Sequence, residues 1–256
     1  MFKAIRIGIL LFILFFVAVS TWLTQARSTD WNNSLWVKIY PINADGSDVS
    51  DRYIDSLDSG DFADIESFIK RETDKFNKTI SRPLRIELGN RIAEQPPELE
   101  AGSGMFGIML WSIKMRWWAS GTAGAQDSIE PDVRIFVRFH HPDNAFVLEN
   151  SVGLQKGMVG IVNAYASRQR SGSNNVIIAH EFLHTLGATD KYELGSGQPI
   201  PPDGLAEPDR IPLYPQRYAE IMGGRIALAE NDAVIPKSLE FALIGPLTAS
   251  EINLTE

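Results

Sequence analysis

The sequence predicts an α+β fold built on a mixed, twisted sheet, and three features of the pattern carry that expectation. Apolar residues alternate at Leu35, Val37 and Ile39 within residues 34–42, the period of a strand with one buried face. Phe62, Ile65, Phe68, Ile69 and Phe76 recur at helical spacing through residues 59–76, with charged residues between them. The apolar run 157–164 leads almost directly into a second helical segment, 175–186, so a strand feeds a helix with little chain between.

At 256 residues and 44% hydrophobic content the chain is long enough to bury a full core, which excludes disorder over most of it. Lys and Arg number 24 against 32 Asp and Glu, a net charge of −8, with no basic run. Nucleic acid is therefore not an expected partner. The absence of cysteine excludes disulfide scaffolds, thiolate-bound zinc, iron–sulfur clusters and thiol catalysis. Only four histidines are present, His140, His141, His180 and His184, so any metal site draws on these and on carboxylates.

Taken in order, the elements read as follows. Lys3 and Arg6 precede residues 7–26, twenty uncharged positions, the length of a membrane-crossing helix. We expect an N-terminal anchor over residues 1–26, with the rest of the chain periplasmic or extracellular. The apolar core of that stretch, 7–19, also fits a secretory signal, so a cleaved and secreted form is the alternative. Residues 27–34 are then a short linker and 35–256 one domain. After the strand at 34–42 and the helix at 59–76, further strands are expected at 83–88 and 133–139. Between them, residues 104–118 are apolar on nearly every side, which predicts a buried helix or flap on the sheet. Trp111, Trp117, Trp118, Lys114 and Arg116 also suit a patch resting on a bilayer surface. Downstream of the helix at 175–186, which Ser173 or Asn174 can cap, the Pro- and Gly-rich stretch 195–215 reads as a long ordered loop. A short helix at 248–254 closes a C-terminal helical part.

The chemistry concentrates in His180-Glu181-Phe182-Leu183-His184. On a helix, positions i and i+4 share one face, so both imidazoles can reach one ion, and neutral imidazole nitrogen suits zinc. Glu181 projects beside them, where it can take a proton from a metal-activated water. Residues 176–179 are apolar, and burying paired histidines among such residues without a partner is expensive. Gly187 follows three residues after His184, where a left-handed residue ends a helix cheaply. The chain can then turn back and present Asp190 as a third ligand, leaving a fourth position for water, the catalytic arrangement. Glu220, or less readily Glu193, is the alternative third ligand. His140 and His141 precede Pro142-Asp143 and read as a solvated turn.

Together His180, Glu181, His184, Gly187 and Asp190 spell HExxHxxGxxD, a pattern that resembles the metzincin clan of zinc endopeptidases; the Asp form is similar to its snapalysin-type members. The resemblance implies a metzincin-like zincin domain and a Zn2+ cofactor. It implies a peptide or protein substrate, cleaved with Glu181 as general base and His180, His184 and Asp190 as metal ligands. It also implies a methionine-containing turn beneath the metal, for which residues 219–224 with Met222 are well placed. The tyrosine that several members carry two residues after that methionine has no counterpart, since Gly224 stands there. Tyr192 or Tyr218 is then a candidate for contact with substrate or transition state. In the clan the substrate lies extended along the sheet's edge strand, a place expected here for residues 157–164. The competing expectations are a non-catalytic zinc-binding module of the cell envelope that recruits a protein partner, and a zinc amidase acting on cell-wall peptide.

Overall fold

Nine strands and five α-helices are described in this computed structural model, over residues 29–99, 102–124, 129–143, 151–155 and 158–255, with 6–8, 12 and 15 ahead of them. In chain order the first part runs β1 (Leu35–Asn43), α1 (Asp48–Asp55), α2 (Ala63–Lys75), β2 (Leu84–Leu88), α3 (Met105–Gly124), β3 (Val133–His140), β4 (Val152–Leu154), β5 (Val159–Tyr165) and α4 (Ser171–Leu186). The second part holds β6 (Ala219–Glu220), β7 (Ile226–Ala229), β8 (Asp232–Val234), β9 (Ala242–Leu243) and α5 (Pro246–Glu251). The expected anchor at 7–26 lies largely outside the described residues. Among the described residues no helix is long and apolar enough to cross a membrane.

One five-stranded sheet, in the order β2-β1-β3-β5-β4, organises the fold. β2, β1, β3 and β5 are parallel, and β4 closes one edge antiparallel to β5. The sheet is therefore mixed, and the fold is α/β in composition with a mostly parallel sheet. Parallel strands are covered on both faces, which explains why β3 is buried along almost its whole length. On one face Val37, Ile39, Ile135, Val137 and Val162 pack with α2, α4 and α5. On the other, Tyr40, Ile42, Phe136 and Ile161 meet α3 through Met115, Ala119 and Ala123, which recur every fourth residue.

Several expectations are corrected here. The 157–164 strand is not the edge: β5 lies between β3 and β4, so it has no free ladder, and the edge strand is β4. Gly157 is outside the described residues. The apolar segment 104–118 is only half buried, because a single helix on a sheet can cover only one stripe of itself. Its outer side leaves Met105, Phe106 and Trp117 more than 80% exposed. Trp111 is turned inward, its Nε1–H donating to Pro97 O at 2.8 Å. The expected linker 27–34 contributes Trp31 to the core, and the Trp31 indole N–H donates to Ile252 O at 2.8 Å. Beyond α4 the α-helical content is the six-residue α5 alone, so the C-terminal part is chiefly loops and two-stranded ladders rather than helical. That helix starts at Pro246 rather than at 248, and a proline in the first turn has no helical N–H bond to lose. α1 went unread in the pattern; Ser47 caps it, its Oγ accepting the Ser50 N–H at 3.2 Å.

The edge strand is pressed against α4 at Gly153. A Cβ at this position would overlap the Cβ of His184 and lie 2.6 Å from Glu181 O. At Gly160, its partner across the ladder, the nearest atom to an added Cβ would be 3.6 Å away. Gly153→Ala is therefore expected to destabilise the protein by about 1–3 kcal/mol, as overpacking does, and Gly160→Ala to be tolerated. Denaturant unfolding of the two variants checks this, and equal midpoints would show that the close approach is not needed.

Candidate metal centre

α4 carries Val176, Ile178, Ala179, Phe182, Leu183 and Leu186 into the core, which fixes the helix and the direction of its polar stripe. It begins at Ser171 without a side-chain cap. Asn174, expected as the cap, lies within the first turn and fastens α4 to β5 instead. Its Oδ1 accepts the Tyr165 N–H at 3.1 Å and its Nδ2 donates to Tyr165 O at 2.9 Å. Gly187 ends the helix at φ +111°, the left-handed conformation its position predicts. The turn is closed by Gly187 N–H donating to His184 O and Ala188 N–H to Leu183 O, both at 3.1 Å.

That turn brings three acceptor atoms together. His180 Nε2 and His184 Nε2 are 3.1 Å apart, and Asp190 Oδ1 is 3.2 Å from the first and 3.0 Å from the second. Each imidazole has its other nitrogen committed. Nδ1–H of His180 donates to Ile221 O at 2.9 Å, and Nδ1–H of His184 donates to Ala188 O at 2.8 Å. A ring facing a carbonyl through Nδ1 carries a proton there, so in the neutral imidazoles both Nε2 atoms present lone pairs. Three lone-pair atoms facing one another repel unless a cation sits among them. Atoms bound to one tetrahedral zinc, at roughly 2.0–2.1 Å each, lie about 3.3 Å from one another, so the donor set fits that ion. Backbone carbonyls behind both imidazoles are the usual support for metal-ligating histidines.

The electrostatics carry the same demand for positive charge. Burial opposes ionisation of Asp190, yet the two imidazoles outweigh it and hold the carboxyl well below the usual carboxylate range. Burial likewise opposes a charged His180, and the Asp190 contact together with the Glu181 charge overcomes it and raises the imidazole. Glu181 lies on the same helix, its carboxylate within 4.8 Å of the imidazole nitrogens. Burial pushes its pKa up, against the pull of both histidines. Its Oε2 is buried and has no hydrogen-bond partner.

Residues the pattern did not single out hold Asp190 in place. Thr189 donates to the Glu251 carboxylate through N–H at 3.0 Å and through Oγ1–H at 2.5 Å. Lys191 Nζ donates to the same carboxylate at 2.7 Å, and the Lys191 backbone N–H donates to Met222 O at 2.9 Å. Both neighbours of Asp190 are thus tied down, one to α5 and one to α5 and the following turn.

Met222 is fully buried in the turn Ile221–Gly223, next to the carbonyl that receives His180. Glu220 is not drawn to the imidazoles. Its buried carboxylate accepts Gly223 N–H at 2.8 Å, Gly245 N–H at 3.1 Å and Thr248 Oγ1–H at 2.7 Å. Both its oxygens are engaged by donors of the fold. Glu193 is engaged by Ser196 Oγ–H at 2.6 Å. His140 Nε2 faces Asn163 Oδ1 at 2.9 Å, and the His141 N–H donates to Asp45, so neither histidine joins the cluster.

A cleft of about 600 Å³ opens beside the imidazoles and is lined in part by His180, Glu181, Tyr192, Gly224 and Arg225. Tyr192 has its ring centre 6.1 Å from that of His180. Burial, with the charges of Asp190 and Glu181, pushes its phenol up to about 12. Tyr218 is 39% exposed and does not line the cleft; the Arg217 guanidinium lies over its ring. No family model matches the chain, and no curated protein matches it.

Proposed function

We propose that the protein is a zinc-dependent peptidase of metzincin kind, with His180, His184 and Asp190 as ligands and Glu181 as general base. The observation that carries the reading is the convergence of three lone-pair atoms at 3.0–3.2 Å, two of them on imidazoles whose Nδ1 protons are already donated. The turn that buries Met222 beside the carbonyl facing His180 supports it, being a feature the resemblance implies.

Zinc in such a site supplies a Lewis acid toward a carbonyl oxygen and makes a water more acidic. Glu181 takes the proton of the attacking water at its carboxylate and hands it to the leaving amine nitrogen. A buried oxygen without a competing hydrogen bond suits that task. The Tyr192 phenol stays protonated at neutral pH and donates its O–H to the Asp190 carboxylate. The edge of β4 offers main-chain groups to an extended peptide whatever its sequence.

The test is metal titration with peptide hydrolysis on the full chain. One zinc per chain is expected, with hydrolysis lost to a chelator and restored by zinc. Asp190→Ala should weaken zinc binding by about 10- to 100-fold. Normal binding by this variant would remove Asp190 from the ligand set and, with it, the metzincin reading.

A further inference from the structure

Arg225 is the cation of the cleft, and the fold leaves it without a counter-charge. Several other arginines are matched, Arg71 with Glu72, Arg82 with Glu66, Arg134 with Glu130, Arg168 with Asp61 and Arg217 with Glu207. The chain carries eight more acidic than basic side chains, so carboxylates are plentiful. Yet among the described residues Arg225 has neither an ion pair nor a hydrogen bond to a partner. It is half-buried, and it follows Gly224, whose φ of +71° closes the turn that begins beneath His180.

Its position is also set from the opposite wall. A Cβ on Gly197 would come within 3.1 Å of the guanidinium carbon, so a glycine at φ +66° lets the 194–197 loop lie directly on it. The guanidinium is thus held between the turn and the loop, and its charge is felt at the Tyr192 phenol. Apolar side chains line the same cleft, Val176, Ile177, Leu194 and Ile235 among them. A planar, half-desolvated guanidinium beside an apolar wall is the arrangement that receives a carboxylate through paired hydrogen bonds.

We propose that Arg225 binds a carboxylate of the substrate, so that the preferred peptides carry a negative charge close to the cleaved bond. The proposal rests on the peptidase reading. Two sources share this chemistry, an acidic side chain and a free C-terminal carboxylate. Because Arg225 lines the same cleft as His180 and Glu181, selection by charge is expected, with the apolar wall accepting the neighbouring side chain.

The experiment compares fluorescent peptides of one sequence and length, with Glu or Gln at each position in turn and with the C-terminus free or amidated. Binding is read by anisotropy on full-length wild type, Arg225→Gln and Arg225→Lys, and hydrolysis is followed separately. Wild type should bind at least one carboxylate-bearing peptide about tenfold more tightly than its neutral twin, since a charge-assisted hydrogen bond is lost with the carboxylate. The pair that shows the difference identifies the source. Arg225→Gln should bind the two twins alike while circular dichroism stays unchanged, and Arg225→Lys should keep only part of the preference. A preference that survives in Arg225→Gln, or no preference in wild type, overturns the proposal. Charge-selective binding without hydrolysis would leave Arg225 in place and remove the peptidase reading; hydrolysis without charge selection would do the reverse.

Discussion

Glu181→Gln should lower peptide hydrolysis by at least about 10²-fold while zinc content and melting temperature stay at wild-type values. The amide matches the carboxylate in size and helix propensity but cannot hold a proton. Few substitutions in the protein isolate chemistry so cleanly. The Glu181 Oε2 makes no hydrogen bond, the Gly153 N–H that the carboxylate accepts can pass to the amide oxygen, and the ligand triangle is formed without Glu181. Metal analysis, thermal melting and turnover on one cleaved peptide check the three parts together. Loss of zinc in the variant would make Glu181 a ligand and remove it as the base. Equal inertness of wild type and variant across a broad peptide library would leave a zinc module that recruits a partner.

The second large effect belongs to a residue that touches no metal. Glu220→Ala should destabilise the protein by about 3 kcal/mol or more, since each buried donor left without a partner costs about 1–3 kcal/mol. The carboxylate accepts from Gly223, Gly245 and Thr248, and truncation leaves all three donors buried with nothing to bond. Because the adjacent Ile221 carbonyl orients His180, zinc affinity should fall as well. Glu220→Gln keeps the volume and some of the acceptors, and should lose less. Denaturant unfolding with chelator present separates the fold from the bound metal. A Glu220→Ala midpoint equal to wild type would mean that these hydrogen bonds do not hold the C-terminal part together.

What could be read from the sequence was local. His180, His184, Gly187 and Asp190 lie within eleven residues, and helical periodicity with one left-handed glycine is enough to bring them together. The alternation at Leu35, Val37 and Ile39 likewise marks β1, although from Tyr40 onward both faces are covered and the period disappears. What could not be read depends on partners far along the chain. Apolar periodicity reports burial but not neighbours, so β5 and β4 could not be assigned to the interior and the edge. The same limit hid the exposed side of α3, whose residues are apolar all round while the sheet covers one stripe. Glu251 reads as an ordinary acidic residue and Glu220 only as an alternative ligand; their roles come from contacts 62 and 28 positions away. Tyr192 and Tyr218 look alike in sequence, and only the path of the loop sets one in the cleft and the other outside it.

The ties from α5 to Thr189, Lys191 and Glu220 impose an order on assembly. A chain emerging from the ribosome presents both imidazoles as soon as α4 is complete, while the helix that steadies Asp190 is still to be made. Until α5 docks, the loop after Gly187 is free to swing and the third donor has no fixed place. Maturation of the centre is thereby coupled to completion of the domain, so a partly synthesised chain carries an unfinished site.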